Sequence, residues 1–380
     1  MTRKHADLSP SAAERWLSCP ASVRMTKSAP ETESVYAREG TAAHELAALM
    51  AQHTLLGLSA VEFDAEVSRW REEYADVITE EMTGHCEQYV EYLLNLRNGH
   101  AEPHLLLEQR LPTGLPGCWG TSDAVVVSPT LIDVVDLKYG KGVAVEARGN
   151  PQLRLYGIGA LEAFGDLLGE VEKVRLTIYQ PRIHNVTTEE IAAVDLRAWR
   201  DSIIPIAEQA LGPDAPFGPS ESACRWCSVS GSCKAQQEHF ARMDFGVSPE
   251  LLDDGELSSV LGQLKHIEHW CAAVRDYALD LAYSQGHTIP GWKVVLSGGR
   301  RSITNPTGAL EALQLLGYPL EQVANIKPKG IGELEKILQD DFDVALGQFV
   351  ARGESSPSLV PDEGERPGVT PEIRAAKDFT

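Results

Sequence analysis

Gly120–Tyr156, GTSDAVVVSPTLIDVVDLKYGKGVAVEARGNPQLRLY, is the stretch whose reading decides the fold. Two apolar, β-branched runs, Asp123 to Val127 and Leu131 to Tyr139, flank Ser128-Pro129-Thr130, which predicts a hairpin with a short turn. Folding the chain there sets Asp123 roughly opposite Val135 or Asp136. Residues two apart in a strand share a face, so Asp136 and Lys138 point one way and Leu137 the other. Downstream, Asn150-Pro151 starts a helix, N-cap then proline, in which Gln152 and Tyr156 are four apart on one face.

The hairpin therefore places two acids and a lysine side by side on a sheet. Buried carboxylates repel each other, and an unpaired buried charge costs several kcal/mol. A divalent cation removes the difficulty: hard oxygen ligands suit Mg²⁺ or Mn²⁺, which bind through a few carboxylates and substrate phosphate. An isolated Asp-x-Lys is more commonly an ion pair at a strand edge, and an isolated Asp123 a turn residue. The neighbourhood weighs against that. The segment His100 to Leu111 has strand character and brings Glu108 just ahead of the hairpin, so Glu108, Asp123 and Asp136 fall on three neighbouring strand segments.

With 380 residues, two domains or one core with an appendage are expected, and 43% hydrophobic content supports a real core. No apolar run reaches the roughly 20 residues of a membrane span, and the start MTRKHADLSPS lacks the apolar segment of a signal peptide. A soluble, cytoplasmic protein without membrane contact is the expectation. The net charge of −21 argues against a nonspecific nucleic-acid coat. The excess is uneven: Glu31 to Arg110 holds 16 acids and 5 bases, whereas Asp133 to Arg154 holds four bases and three acids. Any DNA would bind locally, at the hairpin and through metal.

In chain order, Ser9-Pro10 predicts a helix start, with Trp16 and Leu17 turned inward and an end near Cys19-Pro20. A second helix opens around Ala37 and carries Gly40, Thr41 and His44 among the apolar Leu46, Leu49 and Met50. A lone histidine there is more often a hydrogen-bonded core residue than a ligand. Glu66 to Arg97 reads as one long helical stretch, Val174 to Gln180 as a strand, and Thr188-Glu189-Glu190 as the opening of a helix running from Glu189 to Leu211.

The succession of helices, strand, hairpin, helix, strand and helix, with Glu, Asp, Asp-x-Lys and Gln-x-x-x-Tyr in order, resembles the RecB-like exonuclease branch of the PD-(D/E)XK nucleases. The resemblance implies an α/β, restriction-endonuclease-like core with a mixed central sheet flanked by helices. It implies that His44, from Gly40-Thr41-Ala42-Ala43-His44, joins Glu108, Asp123 and Asp136 as metal ligands or their neighbours. Lys138 matches the catalytic lysine, and Gln152 and Tyr156 match the motif that contacts the substrate strand.

Of seven cysteines, three cluster as Cys224-x-x-Cys227 and Cys233, after the Pro/Gly-rich approach GPDAPFGPS. Thiols so close in a cytosolic protein argue for metal over disulfides, and a soft site needs a fourth ligand, for which Cys19 is the candidate. One N-terminal and three C-terminal cysteines resemble the iron-sulfur staple of AddB-type helicase-nucleases and of CRISPR-associated RecB-like nucleases. Four thiolates suit a [4Fe–4S] cluster or zinc. The alternative is zinc on Cys224, Cys227 and Cys233 with a histidine such as His239. Cys86, Cys118 and Cys271 read as plain core or surface thiols.

Beyond Gln236 the chain reads as an α-rich extension. A helical hairpin is predicted over Ser248 to Gln285, broken between Leu264 and His266, then a strand at Gly291 to Leu296. Arg300 and Arg301 follow, read as a solvated turn with DNA phosphate contact as the alternative, then short helices near Thr307 to Leu316 and Ile331 to Leu338. The expected organisation is a nuclease core with cysteine staple over 1–240, an α-rich region with a short strand over 241–352, and a flexible Pro/Ser/Glu-rich tail over 353–380. The start HADLSPSAAERWLSCPAS with GTAAHE and DLKYGKG looks similar to a phage and prophage group of RecB-like nucleases. That resemblance implies a Mg²⁺- or Mn²⁺-dependent exonuclease of DNA recombination or repair in a bacterial host cytoplasm. A phage single-strand annealing or recombination protein and self-association into a homo-oligomer are the implied partnerships. A weakly active or inactive nuclease-fold protein that binds DNA or serves assembly, or an endonuclease, stays open beside it.

Overall fold

A computed structural model of the chain describes residues 6–27, 29, 34–168, 171–242, 253–296, 303, 305–324 and 328–350. Two compact units are present, Met1–Val295 and Leu296–Thr380. The first carries the helices α1 (Ala13–Ser18), α2 (Ser22–Thr26), α3 (Val35–Leu56), α4 (Ala60–Glu73) and α5 (Glu80–Asn98). Three strands follow, β1 (His104–Pro112), β2 (Trp119–Val127) and β3 (Leu131–Leu137), then α6 (Pro151–Leu168), β4 (Lys173–Gln180), β5 (Asn185–Ala192) and α7 (Ala193–Leu211). Short helices α8 (Glu221–Arg225) and α9 (Lys234–Ala241) precede the long α10 (Asp254–Tyr283). The second unit holds α11 (Pro306–Leu315), α12 (Leu320–Val323), α13 (Ile331–Leu338) and α14 (Phe342–Leu346).

The five strands form one mixed sheet in the order β1-β2-β3-β4-β5. β1, β2 and β3 are an antiparallel meander, β3 and β4 are parallel, and β5 returns antiparallel to β4. The predicted hairpin turn is closed by Ser128, whose N–H and hydroxyl both donate to the Leu131 carbonyl, at 3.0 and 2.7 Å. A parallel pair needs a crossover, and α6 supplies it. Strand alternation gives the sheet two apolar faces. Ala124, Val126, Val135 and Leu137 pack with residues of α3, α4 and α5; Val125, Val127, Ile132, Val134 and Ile178 pack with α6 and the start of α7. The protein is thus α/β, a mixed central sheet flanked by helices, with a helical C-terminal region.

Several sequence expectations are corrected. Glu66 to Arg97 is two helices, because α4 stops at Glu73 and α5 begins at Glu80. Thr188-Glu189-Glu190 belongs to β5 and no helix starts there; alternating burial, not helix capping, governs Asn185–Ala192, and α7 begins at Ala193. Residues 254–283 are one unbroken 30-residue helix opened by a capping box between Asp253 and Glu256, and no hairpin divides them. Residues 291–296 form no strand, for no other strand among the described residues pairs with them, and Trp292, Val295 and Leu296 are exposed. Helix α10 falls within the first unit and α11 to α14 within the second. The expectations for residues 248–252, for Arg300-Arg301 and for the tail from Gly353 lie outside the described residues.

A small cluster joins the chain's beginning to the segment after α7: Cys19 and Ala21 pack on Ala215 and Ala223, and Ala21 N–H donates to the Pro216 carbonyl at 3.0 Å. Here Gly218 passes so close that a Cβ on it would lie 2.0 Å from the Ser18 carbonyl oxygen. We expect Gly218→Ala to cost about 1–3 kcal/mol, the range for overpacking a fitted contact. Thermal unfolding checks it against Gly84→Ala, whose added methyl meets nothing within 4 Å. An unchanged midpoint for Gly218→Ala would remove this contact from the account of how the two segments are joined.

Candidate functional site

At the end of β3 the sheet's polar residues converge. One step beyond the Ala124–Val135 pair, Asp123 on β2 faces Asp136 on β3. The Asp123 carboxylate is clamped from both sides, accepting the Leu137 N–H at 2.7 Å on Oδ2 and lying 2.9 Å from His44 Nδ1 through Oδ1. Asp136, almost fully buried, accepts from Gln152 Nε2 at 2.8 Å on Oδ1, while Lys138 Nζ lies 2.9 Å from Oδ2. The ammonium also donates to Gln152 Oε1 at 2.9 Å. Gln152 Nε2 lies 3.4 Å from the Tyr156 hydroxyl. The Asn150 carboxamide caps α6 by accepting the Leu153 N–H at 3.2 Å, which sets the helix face that carries Gln152 and Tyr156. All seven residues expected at the site therefore gather at one end of the sheet. His44 is a half-buried histidine hydrogen-bonded to Asp123.

Glu108 arrives by a different route from its neighbours. It sits between Leu107, paired with Ala124, and Gln109, paired with Ser122, so it lies beside Asp123. Its φ of 48° is left-handed, a conformation that costs a non-glycine residue on the order of 1–3 kcal/mol. The side chain is exposed to a cleft of about 520 Å³ that also reaches His44, Glu45, Leu49, Glu66 and Trp70.

The protonation pattern follows from crowding. Burial opposes charge on His44, but the charge and hydrogen bond of Asp123, with Asp136 behind, raise the imidazole to about 9. Burial likewise works against ionised Asp123, yet the His44 charge and bond, the Leu137 N–H and Lys138 hold it below the usual carboxylate range. Asp136 is pushed up by burial and by Asp123, against the pull of Lys138. Glu108 is raised to about 7, by the protein around it and then by Asp123, with His44 pulling the other way. Without a cation the cluster thus keeps protons on His44 and, near neutrality, on a share of Glu108. Among the described residues no three or more His, Cys, Asp or Glu side chains are drawn into a ready ligand set. The donors themselves, carboxylate oxygens with one imidazole, are of the type that hard divalent cations take, and they crowd negative charge that a cation would relieve. In that sense the residues fit Mg²⁺ or Mn²⁺.

The second constellation lies between the chain's start and the segment around α8. Cys19, Cys224, Cys227 and Cys233 all line one cavity, together with Phe217 and Gln236. Cys19 is at the C-terminal end of α1 and Cys224 lies within α8. Burial raises the Cys224 thiol to about 11 and raises that of Cys227, with the other cysteines adding to both. Four convergent thiols, one at the end of α1 and three from the segment after α7, fit a soft metal or cluster. His239 does not line the cavity; its ring lies 5.4 Å from Phe240 and 5.7 Å from His266. Cys86 and Cys118 are buried elsewhere, and Cys271 is on α10.

Two residues escaped sequence reasoning. Gln180 ends β4 and is 1% exposed, with both ends of its amide bonded to the segment that follows Lys138. Its only signal was a polar residue closing an apolar run. Glu189, read as helix, is a strand residue paired with Arg154 at 2.5 Å. Arg154 is therefore neutralised and is no free base beside the hairpin.

Fold and site together define an α/β protein with a carboxylate–lysine cluster at the end of a mixed sheet and a four-thiol cavity between α1 and the segment around α8. The chain belongs to the family described as "Protein of unknown function (DUF2800)", which matches residues 5–367. A solved structure described as "Crystal structure of SSO0001" is similar over 59% of this chain and 96% of its own, with 17% identity and a TM-score of 0.24. Among the described residues no helix is long and apolar enough to cross a membrane.

Proposed function

We propose that the chain is a metal-dependent DNA nuclease, an exonuclease of phage or prophage DNA recombination or repair. The observation that carries the reading is the bonded network of Asp123, Asp136, Lys138 and Gln152, with His44 and Glu108 beside it, at the end of β3. His44, Glu108, Asp123 and Asp136 would hold Mg²⁺ or Mn²⁺, which when bound polarises a phosphate and lowers the pKa of water. Asp123 and Asp136 keep the ligand face fixed, because each carboxylate is oriented by a second bond, from Leu137 N–H or Gln152 Nε2. Lys138, held between Asp136 and Gln152, presents an ammonium to the negative charge that grows on the phosphate oxygens as the ester bond breaks. Gln152 couples the lysine to Asp136, and the Tyr156 hydroxyl extends the polar edge toward the substrate strand.

Cys19, Cys224, Cys227 and Cys233 would hold a [4Fe–4S] cluster, or zinc as the alternative, with a structural role: joining the first helix to the segment after α7.

The test mixes anaerobically purified protein and its Asp136→Ala variant with end-labelled linear and closed circular DNA, with Mg²⁺ or Mn²⁺, and resolves the products on a gel. Loss of linear DNA with wild type alone is expected. Cleavage of circles would make it an endonuclease. No cleavage by wild type with either ion, with DNA binding retained, would replace the reading by that of a DNA-binding or assembly protein.

A further inference from the structure

After Lys138 the chain leaves the sheet and reaches α6 at Asn150, and residues 140–149 between them form a strap bonded to the end of β4 and along β5. Its root is fixed where Lys138 N–H donates to the Tyr179 carbonyl at 2.9 Å. Buried Gln180 then holds it along its length: the side-chain carbonyl accepts the Val145 N–H at 2.7 Å, and the amide donates to the carbonyls of Val143 at 3.1 Å and Gly140 at 3.4 Å. Asn185 donates both to Gln180 Oε1 at 2.7 Å and to the Val145 carbonyl at 2.9 Å. Farther on, Ala147 N–H donates to Thr187 Oγ1 at 3.0 Å and Gly149 N–H to Glu189 at 3.1 Å. A loop would normally leave such groups to water. Here its backbone is satisfied from beneath, and the side chains of Lys141, Val143 and Arg148 are left exposed.

Those two bases differ from others near the site. Arg154 is paired with Glu189 and Arg182 with Glu39, whereas Lys141 and Arg148 have no ion-pair partner among the described residues. With the exposed Glu146 between them, the strap presents two bases against one acid in a chain of net charge −21. Across the cluster the surface has the opposite sign: the cleft beside His44 carries Glu45, Glu66, Glu73 and Glu108 against Arg69, which is paired with Glu66. A polyanion approaching the cluster is repelled from the cleft and attracted to the strap.

We propose that the 140–149 strap is a phosphate track, in which Lys141 and Arg148 bind the DNA backbone beside the cluster and Gln180 is the positioning residue that fixes them there. This rests on the nuclease reading and adds where the substrate strand runs. The loop's glycines let the backbone of a strand come close, and its rigidity means little ordering is required on binding.

The test measures binding of a fluorescent single-stranded DNA by anisotropy, without divalent ions, over a salt series, for wild type, the Lys141→Ala/Arg148→Ala double variant and Gln180→Leu. Each lost phosphate contact lowers the salt slope by about 0.7, so the double variant should lose about 1.4, with affinity down roughly tenfold at moderate salt. In cleavage, its KM rises while kcat at saturating DNA holds. Gln180→Leu should weaken binding similarly and let trypsin cut at Lys141 and Arg148 faster than in wild type. An unchanged salt slope in the surface double variant overturns the track, whether or not Gln180→Leu folds. Wild type that cleaves, with strap variants that bind and cleave equally well, sinks the track alone. Wild type that binds through the strap without cleaving when Mg²⁺ or Mn²⁺ is added sinks the nuclease reading alone, and wild type that neither binds nor cleaves with either ion present sinks both.

Discussion

Lys138→Ala is expected to slow DNA cleavage about 10²–10³-fold, the loss typical of removing one group that stabilises transition-state charge, or about 2.7–4 kcal/mol. The size follows from where the ammonium sits. Its side chain is 29% exposed, and its nitrogen is held by Asp136 and Gln152 at 2.9 Å each, so it is oriented before substrate arrives. Burial works against its charge, but Asp136, with Asp123 behind, holds its pKa above the ordinary lysine value, so it is charged across the neutral and mildly alkaline range. Alanine also leaves Gln152 Oε1 without its donor and Asp136 with a single partner, which costs the fold about 1–3 kcal/mol. Single-turnover cleavage of end-labelled DNA, beside circular dichroism and DNA binding without divalent ions, separates the two effects. Lys138→Arg sharpens the comparison, because the planar guanidinium keeps the charge but does not reproduce a compact ammonium between two oxygens. Wild-type cleavage by folded Lys138→Ala would remove the lysine from the chemistry.

Much of this site could be read from residue order because strands impose their own geometry. A period of two is enough to put Asp136 and Lys138 together and Leu137 opposite, and antiparallel pairing across a short turn is enough to bring Asp123 level with Asp136. The helical repeat likewise sets Gln152 below Tyr156. What could not be read depends on contacts between distant segments. Nothing local distinguishes a His44 that packs in a core from one that meets Asp123, 79 residues away. Glu108 could be placed on a strand beside the hairpin, but its left-handed backbone has no sequence signal. The misreading of Thr188-Glu189-Glu190 has a similar origin: a hydroxyl followed by acids resembles a helix start, but pairing with β4 decides the state. The strand expected at 291–296 failed for the converse reason, an apolar run that finds no partner strand among the described residues.

The four-thiol cavity leads to the second large effect: Cys19→Ser is expected to abolish metal binding there and to lower the thermal midpoint on the order of 10 °C. Thiolate sites of this kind contribute binding free energies of about 10–16 kcal/mol near neutral pH, and a site that exists only in the folded chain passes that energy to folding. Three thiols come from residues 224–233, which are close in sequence and converge with little loss of chain entropy. Cys19 alone closes the long loop, so its loss should matter most to how α1 is joined to the segment after α7. Without it that junction depends on weaker links: Ala21 to Pro216 at 3.0 Å, Arg24 to the Pro213 carbonyl at 2.8 Å, and the packing of Ala21 on Ala215 and Ala223. Iron, acid-labile sulfide and zinc per chain, measured on anaerobically purified protein, give the occupancy and decide between cluster and zinc. Cys271→Ser, a half-buried thiol on α10 that does not line the cavity, should keep full metal and the wild-type midpoint. Wild type stripped of metal under reducing conditions should unfold at the temperature of the Cys19→Ser variant, because on the proposed reading ligated metal, and not the thiol's packing, would supply the stability. Full metal content in Cys19→Ser would take Cys19 out of the site and leave the three clustered cysteines to find their fourth ligand elsewhere.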